Sequence, residues 1–492
     1  MKKKRFPEMQ SQSQELDLRV WIDHVEKAGL VKVVKGADVN LEIGVVTEIN
    51  PKKNKYTLVF DEVNGYQKGF RILTGALLDA RRVAYSFGFP ENVGNAELAR
   101  LFKQKTAQAN QPSGLVPPRY VTQAPFFENV KKGNEINMKI FPSPKWHEHD
   151  GGYYIGTADC AITKDPDTGD VHVGVYRAMV EGEKELGIYM DTGHSANIDS
   201  KKYWKMGKPC PVVLTFGNHP LIFAIAGLDV TMNKFAYAGA ITGKPFTLVN
   251  GPVTGLPIPY DSEIVVEGHI EDSKHEEGPF GEFMGYYASG ATSSPVVLVD
   301  ALYYRNNPII LGTAPGVPPY DYSYYRCPMR AAVIWDVLEK AGIRNVKGVW
   351  CHEEGASRGL TVVSIHQDYA GHARQAGYVA CQSRAGSLGG KYVIVVDDDV
   401  DPSNLHEVMW AVCTRTDPAT TNDIIRGTQA TLLDPMTERT SETRIEEATN
   451  SRQIILACRP YSRLVRGTFP KVVAPGPELK HKYEEKYKGI LW

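Results

Sequence analysis

No stretch of the 492-residue sequence stays apolar for the roughly 20 residues that a membrane-spanning helix needs. The longest apolar run, VVLTFGNHPLIFAIAGL, is broken by Asn218, His219 and Pro220. Charge of either sign is not in excess: the formal net charge is −1, which removes the electrostatic case for nucleic acid or an anionic membrane as a partner. The seven cysteines are scattered and contain no C-x-x-C pair, which excludes a zinc ribbon and a thioredoxin-like redox motif. They are expected to be reduced thiols of a cytoplasmic protein. The MKKKR start leads into polar residues with no apolar segment behind it, so a solvated tail is expected there and not a secretory signal. Phosphate-loop signatures also fail. GAITGKP is one residue short and carries Pro245 where a magnesium-binding hydroxyl should stand; GSLGGKY lacks that hydroxyl too.

What is present is ordinary globular composition, 42% hydrophobic, in a length suited to two or three domains. The first part alternates helix and strand. Leu18, Trp21 and Val25 have helical spacing, KYTLVFDEVNG reads as a strand, and TGALLDARRVAYSFGF as a helix entered at Thr74. ANQPSGLVPPRYVTQAP reads as a linker. Short β-rich segments then crowd residues 137–312, as in a barrel or sandwich. From about residue 325 the α/β pattern returns. The expected class is α+β, with an N-terminal α/β segment (1–115), a central β domain (116–318) and a C-terminal α/β domain (319–492).

Two acidic clusters have plain structural explanations. VVDDDVDP is expected to end a buried strand, with Asp401 capping a helix that begins at Pro402. WHEHDGG offers His147, Glu148, His149 and Asp150, but alternate residues of an extended segment point opposite ways, and a turn before a strand is expected. EEGPFGEFMGYY is different. Gly-Pro-Phe-Gly cannot sit inside a helix, so the backbone must turn, and the turn can bring Glu277 and Glu282 to one side. Two carboxylates sharing a site cannot both ionise cheaply unless a cation intervenes, and a neutral acid beside a paired carboxylate suits proton transfer. A surface turn with two solvated glutamates is the plain alternative.

Upstream, VHVGVYRAMV is a β-type run that bears Arg177, and GIYMDTGHSANI brings His194. The succession V-G-V-Y-R, T-G-H and E-G-P-F-G-E closely resembles the UbiD-like decarboxylases, which use prenylated FMN. HDGGYYIGT, FAYAGAITG, SRAG, VVDDDVDP and VMWAVCTR are similar to further segments of that family, and the likeness runs from about residue 17 to 436. The resemblance implies a central split β-barrel of flavin-reductase type for the cofactor and a C-terminal α/β oligomerisation domain. It implies reversible, non-oxidative decarboxylation of an aromatic, heteroaromatic or α,β-unsaturated carboxylic acid through a covalent prenylated-FMN adduct. By position, Arg177 would meet the substrate carboxylate, Glu277 would hold Arg177, and Glu282 would deliver the proton after CO2 leaves. Thr157, Val175, Tyr176, Arg177, Gly193, His194, Lys234 and Arg384 would line the cofactor, with Arg384 on its phosphate.

The sequence departs from the family at the metal. The family holds a divalent ion (Mn or Mg) at the flavin phosphate with an Asn or Asp, a His and a Glu; here His172 stands at the first position, His194 at the second as expected, and Lys234 at the glutamate position. A protonated lysine is no metal ligand and repels a cation. Either Lys234 itself neutralises the phosphate, leaving metal and potassium in question, or the chain is a catalytically silent paralogue or partner subunit. Tyr320, Tyr322, Tyr324 and Tyr325 are expected either to line an aromatic substrate pocket, with Phe283 as one wall, or to pack a domain interface. The implied partners are a small carboxylic acid, CO2, the prenyltransferase that makes the cofactor, and further copies of the chain in a homodimer or hexamer.

Overall fold

The computed structural model describes residues 16–190, 193–228, 230, 232–288, 290–437 and 447–490. At its centre is a nine-stranded sheet. In spatial order it runs Tyr154–Gly156, Ala178–Val180, Glu185–Ile188, Thr292–Tyr304, Ile264–Glu277, Cys210–Phe216, Cys160–Lys164 and Val171–Gly174, with Asn129–Lys132 paired to Thr292–Tyr304. Every pairing is antiparallel. The strand ending at Gly174 lies at one edge of this order and the strand starting at Ala178 lies next to the other edge. Only Val175, Tyr176 and Arg177 join them, and four Cα steps reach no further than about 14 Å. The sheet must therefore curl until its edges nearly meet. Arg177 sits at that seam.

A core cluster that includes Trp146, Tyr154, Tyr176, Phe216, Val266 and Phe280 fills the curl. The outward-facing Ala301, Tyr303, Val213 and Val265 belong to a second core, shared with Trp21, Phe87, Phe102, Tyr325 and Trp335. Burying aromatic side chains of this size stabilises by roughly 2–3 kcal/mol each.

The N-terminal sheet has the order Val31–Lys35, Thr57–Asp61, Arg71–Thr74 and Ile309–Leu311, so a strand some 235 residues downstream completes it. Thr74 ends a strand here and does not open a helix. The helix is Ala80–Phe87, capped by Asp79. Residues 75–77 are instead held by Asp321, whose buried carboxylate accepts from the Gly75, Ala76 and Leu77 amides at 2.8–3.0 Å. The 109–125 segment contains the short strand Arg119–Val121, parallel to Thr247–Asn250.

The C-terminal sheet runs Val346–Cys351, Leu360–Ile365, Tyr392–Asp397, Thr449–Ala457 and Asn422–Gln429, with parallel pairs at its centre. The DDDVDP acids end a strand as expected, and Arg415 and Arg459 pair with them: Arg415 bonds Asp397 and Asp399, and Arg459 bonds Asp397. The cap of the next helix is Asn404, not Asp401, and the helix starts at Leu405. Asp401 instead accepts from the Ser403 amide in a turn. Among the described residues, no helix is long and apolar enough to cross a membrane.

Candidate active site

The 14-residue strand Ile264–Glu277 delivers Glu277, fully buried, to the seam that carries Arg177. Arg177 Nε and Nη2 donate to the two oxygens of Glu277 at 2.7 and 2.8 Å, a bidentate charge-assisted pair. Its Nη1 donates to Glu282 Oε1 at 2.7 Å. Tyr154 Oη gives Glu277 a third hydrogen bond at 2.9 Å. The guanidinium is also flanked by the rings of Tyr189 and Phe280, at 4.1 and 4.9 Å from their centroids. Burial alone would lower its pKa, but hydrogen bonding and charge from Glu277, then from Glu282, outweigh burial and hold the arginine firmly protonated. One cation thus serves two carboxylates. Glu277 is sealed in, whereas the Glu282 side chain keeps 13% exposure.

The turn between the glutamates is shaped by a segment 130 residues away. Gly278 has φ +86°, a conformation that favours glycine. Its carbonyl packs against Gly151, where a Cβ would stand 1.9 Å from the Gly278 oxygen. The Gly151 amide donates to Pro279 O, the Gly281 amide donates to Asp150, and Asp150 also accepts from the His147 amide. WHEHDGG is therefore the turn expected of it, and in addition the clamp on EGPFGE. Asp150, Gly151 and Tyr154 were not among the expected site residues. The sequence signal for Tyr154 is its place in HDGGYYIGT, a β-type segment similar to the family that singles out no one residue.

A second group lies along the same seam. His172 Nε2 and Tyr176 Oη are 2.8 Å apart, and the rings of Tyr176 and His194 meet edge to face at 5.4 Å. Lys234 opens the helix Lys234–Thr242, is 8% exposed and donates from Nζ to Ala226 O at 2.8 Å. Burial, then the charges of Lys234 and His194, push the His172 pKa down to about 3, so the ring is neutral. Val175 is half-buried, Thr157 Oγ1 accepts from the Thr313 amide at 2.9 Å, and Gly193 faces open space. Arg384 stands exposed at the start of the short helix Arg384–Ser387. Asp159, behind Tyr176, is fully buried with neither oxygen in hydrogen-bonding geometry. Burial raises it to about 8 against the pull of the nearby Asp159 and Tyr176 amides.

Lys234 Nζ, bonded to Ala226 O, stands where the resemblance implies a glutamate ligand, so this group offers no third carboxylate or imidazole for a divalent ion. The group of metal-capable side chains among the described residues lies elsewhere, at Glu181, Glu185 and His275. The group presents hydrogen-bonding groups of the kind an oxyanion takes: the Lys234 amine, the His172 ring and the Tyr176 hydroxyl.

The tyrosines divide. Tyr320 Oη donates to Phe283 O at 2.8 Å, next to Glu282. Tyr324 bonds Asn95 and packs on Trp350, and Tyr325 is fully buried against Phe223, so both pack between parts of the fold.

Comparison with known proteins assigns the chain to a carboxy-lyase family. The N-terminal, Rift-related and C-terminal domain models of 3-octaprenyl-4-hydroxybenzoate carboxy-lyase, UbiD, match residues 22–102, 119–318 and 323–457. The chain is 30% identical to a phenolic acid decarboxylase of Escherichia coli, over 96% of this chain and 98% of that one. It is 31% identical to a pyrrole-2-carboxylic acid decarboxylase of Pseudomonas aeruginosa, over 82% and 84%. Among solved structures, the open form of Sedimentibacter hydroxybenzoicus vanillic acid decarboxylase superposes with TM-score 0.85, at 28% identity over 97% and 99% of the chains. HmfF of Pelotomaculum thermopropionicum in complex with FMN gives 0.82, at 27% identity over 94% and 98%, and a dimeric form of it is solved with prenylated FMN. The chain belongs to the UbiD family.

Proposed function

We propose that the chain is a prenylated-FMN-dependent decarboxylase acting reversibly, without net redox change, on an aromatic, heteroaromatic or α,β-unsaturated carboxylic acid. The observation that carries this reading is the Arg177–Glu277–Glu282 set. Bound prenylated FMN would supply the electron sink that makes loss of CO2 from an unactivated carbon feasible. The chain's residues do the rest. Arg177, fixed by Glu277 and Tyr154, meets the substrate carboxylate and holds it in one orientation. Glu282, on the exposed side of the arginine, hands a proton to the carbon that CO2 leaves, and the reverse reaction returns it. Closure of the site around Phe280 and Tyr189 excludes water and strengthens these charge interactions. Lys234 and Arg384 pair with the flavin phosphate, with His172, His194 and Tyr176 beside it and Thr157, Val175 and Gly193 lining the cofactor. No divalent ion is required at that end.

The finer fold reading belongs to the same proposal: the nine-stranded sheet as a flavin-reductase-type split barrel, and the C-terminal sheet as an oligomerisation domain in a homodimer or hexamer. A silent partner subunit is the alternative, but it gives the Arg177–Glu277–Glu282 set no task. The test is to produce the chain with a flavin prenyltransferase and follow 13CO2 exchange into a panel of phenolic, heteroaromatic and cinnamic-type acids. Exchange with any of them supports the enzyme. Retained prenylated flavin with no exchange across the panel sinks it.

A further inference from the structure

The two strands that carry Arg177 and Glu277 to the seam also bear a group of ligating side chains outside the site. Glu181 and Glu185 flank the tight hairpin between Ala178–Val180 and Glu185–Ile188, where the Glu181 and Gly182 amides both donate to Glu185 O. His275 lies on the long strand Ile264–Glu277, two residues before Glu277. One ligand atom from each of the three lies within 4.8 Å of the other two. His275 Nδ1 and Glu181 Oε2 are 2.5 Å apart. Glu181 Oε1 is buried with no hydrogen-bond partner, on a side chain that is 11% exposed. Both carboxylates are tucked against glycines. A Cβ on Gly187 would stand 2.2 Å from Glu181 Oε1, and one on Gly182 would stand 3.2 Å from Glu185 Oε2. Among the described residues, no lysine or arginine pairs with either glutamate.

Two converging carboxylates repel, and burying one of them with an unmet oxygen is costly unless a cation offsets it. Burial holds the Glu181 carboxyl above its usual range against the pull of His275, and the charges of Glu185 and Glu277 push the same way. We propose that Glu181, Glu185 and His275 bind a Zn2+ ion. Imidazole nitrogen and carboxylate oxygen are both zinc donors, and three protein ligands leave a position for water. The imidazole disfavours Mg2+ and Ca2+, which take oxygen ligands, and the affinity order of the first-row ions places Zn2+ above Mn2+. Binding releases to solvent the proton that joins His275 Nδ1 to Glu181. In the sheet, Ala178–Val180 and Ile264–Glu277 are separated by two other strands. The ion therefore staples the segment four residues after Arg177 to the position two residues before Glu277, and steadies that pair without touching it.

The site needs neither flavin nor substrate, so its test is independent of the decarboxylase reading. EDTA-stripped full-length protein is titrated with ZnCl2 by calorimetry, and CoCl2 serves as a visible-absorption probe of the same ligands. Wild type should bind one Zn2+ per chain with a Kd of about 10 µM or tighter. His275→Ala and Glu185→Gln should each weaken zinc by at least about tenfold and remove the cobalt bands. Both side chains lie at the surface end of the group, so circular dichroism and Tm in EDTA should match wild type. Zinc should then raise the Tm of wild type and leave that of either variant unchanged. His172→Gln, at the cofactor end, should bind zinc like wild type. Wild-type zinc affinity in both His275→Ala and Glu185→Gln overturns the proposal. So does loss of zinc in a folded His172→Gln, which assigns the ion to the group around Lys234. Absence of binding to wild type up to about 1 mM zinc overturns it as well. Each of these outcomes leaves the decarboxylase reading standing, because that reading assigns no task to Glu181, Glu185 or His275.

Discussion

Replacing Glu277 with glutamine keeps the shape of the side chain and removes its charge. In the structure Glu277 is fully buried and accepts from Arg177 Nε, Arg177 Nη2 and Tyr154 Oη. A glutamine carbonyl can satisfy one guanidinium N–H, but its NH2 then faces the other, donor against donor. Losing one hydrogen bond to a charged group costs about 1.5–3 kcal/mol. Breaking a buried ion pair outright costs about 3–5 kcal/mol. Glu282 still holds Nη1 at 2.7 Å, so the lower end, about 3 kcal/mol, is expected for stability. If the same misalignment is felt when CO2 leaves, about 3 kcal/mol corresponds to roughly a hundredfold loss of kcat/KM. Chemical denaturation and steady-state CO2 release measure the two effects separately. Glu277→Asp, which keeps the charge one methylene further back, should fall between wild type and Glu277→Gln in both assays. A Glu277→Gln protein with unchanged stability and activity within about twofold would refute the reasoning.

Other consequences follow from particular contacts. Gly151→Ala places a methyl 1.9 Å from the Gly278 carbonyl, so backbone must move; a loss of about 1–3 kcal/mol in denaturation, with activity falling alongside, is expected. Asp159 has a folded pKa of about 8 against an unfolded value near 3.9, so the folded state holds the extra proton between these limits. Its contribution is fully present below about pH 4 and is lost as pH rises towards 8, at a slope of up to about 1.4 kcal/mol per pH unit. Asp159→Asn should remove that slope, and parallel stability profiles for the two proteins from pH 5 to 8 would contradict it. Lys234→Met should weaken FMN binding by about tenfold or more, while EDTA dialysis of wild type leaves binding unchanged. Stoichiometric manganese in active wild-type protein would overturn the role of Lys234.

The parts of the site that were legible in the sequence are the local ones. Gly-Pro-Phe-Gly forces a turn wherever it occurs, but it is the resemblance of V-G-V-Y-R, T-G-H and E-G-P-F-G-E to the UbiD-like decarboxylases that joins Arg177 to Glu277 and Glu282. The clamp by Asp150 and Gly151 did not stand out, because a carboxylate-to-amide bond and a close backbone approach across 130 residues leave no local period. Helix starts failed for a related reason. Thr74 and Asp79 both qualify as caps, but Asp321, far along the chain, binds the 75–77 amides and delays the helix. Asn404 likewise displaces Asp401 because Asp401 is spent on the Ser403 turn. The tyrosine run could not be divided by composition: Tyr320 reaches the Glu282 turn while Tyr325 disappears into the core.

The most direct test of the central claim is Glu282→Gln, produced with a flavin prenyltransferase and measured twice on the same preparation. Native mass spectrometry reads the bound prenylated flavin, and CO2 release reads turnover on the best acid found for wild type. Glu282 is proposed as the proton donor and stays on the exposed side of Arg177, so the cofactor should remain bound while turnover falls by at least about a thousandfold. Full flavin occupancy with wild-type turnover would contradict the account, because the proton would then come from somewhere other than Glu282.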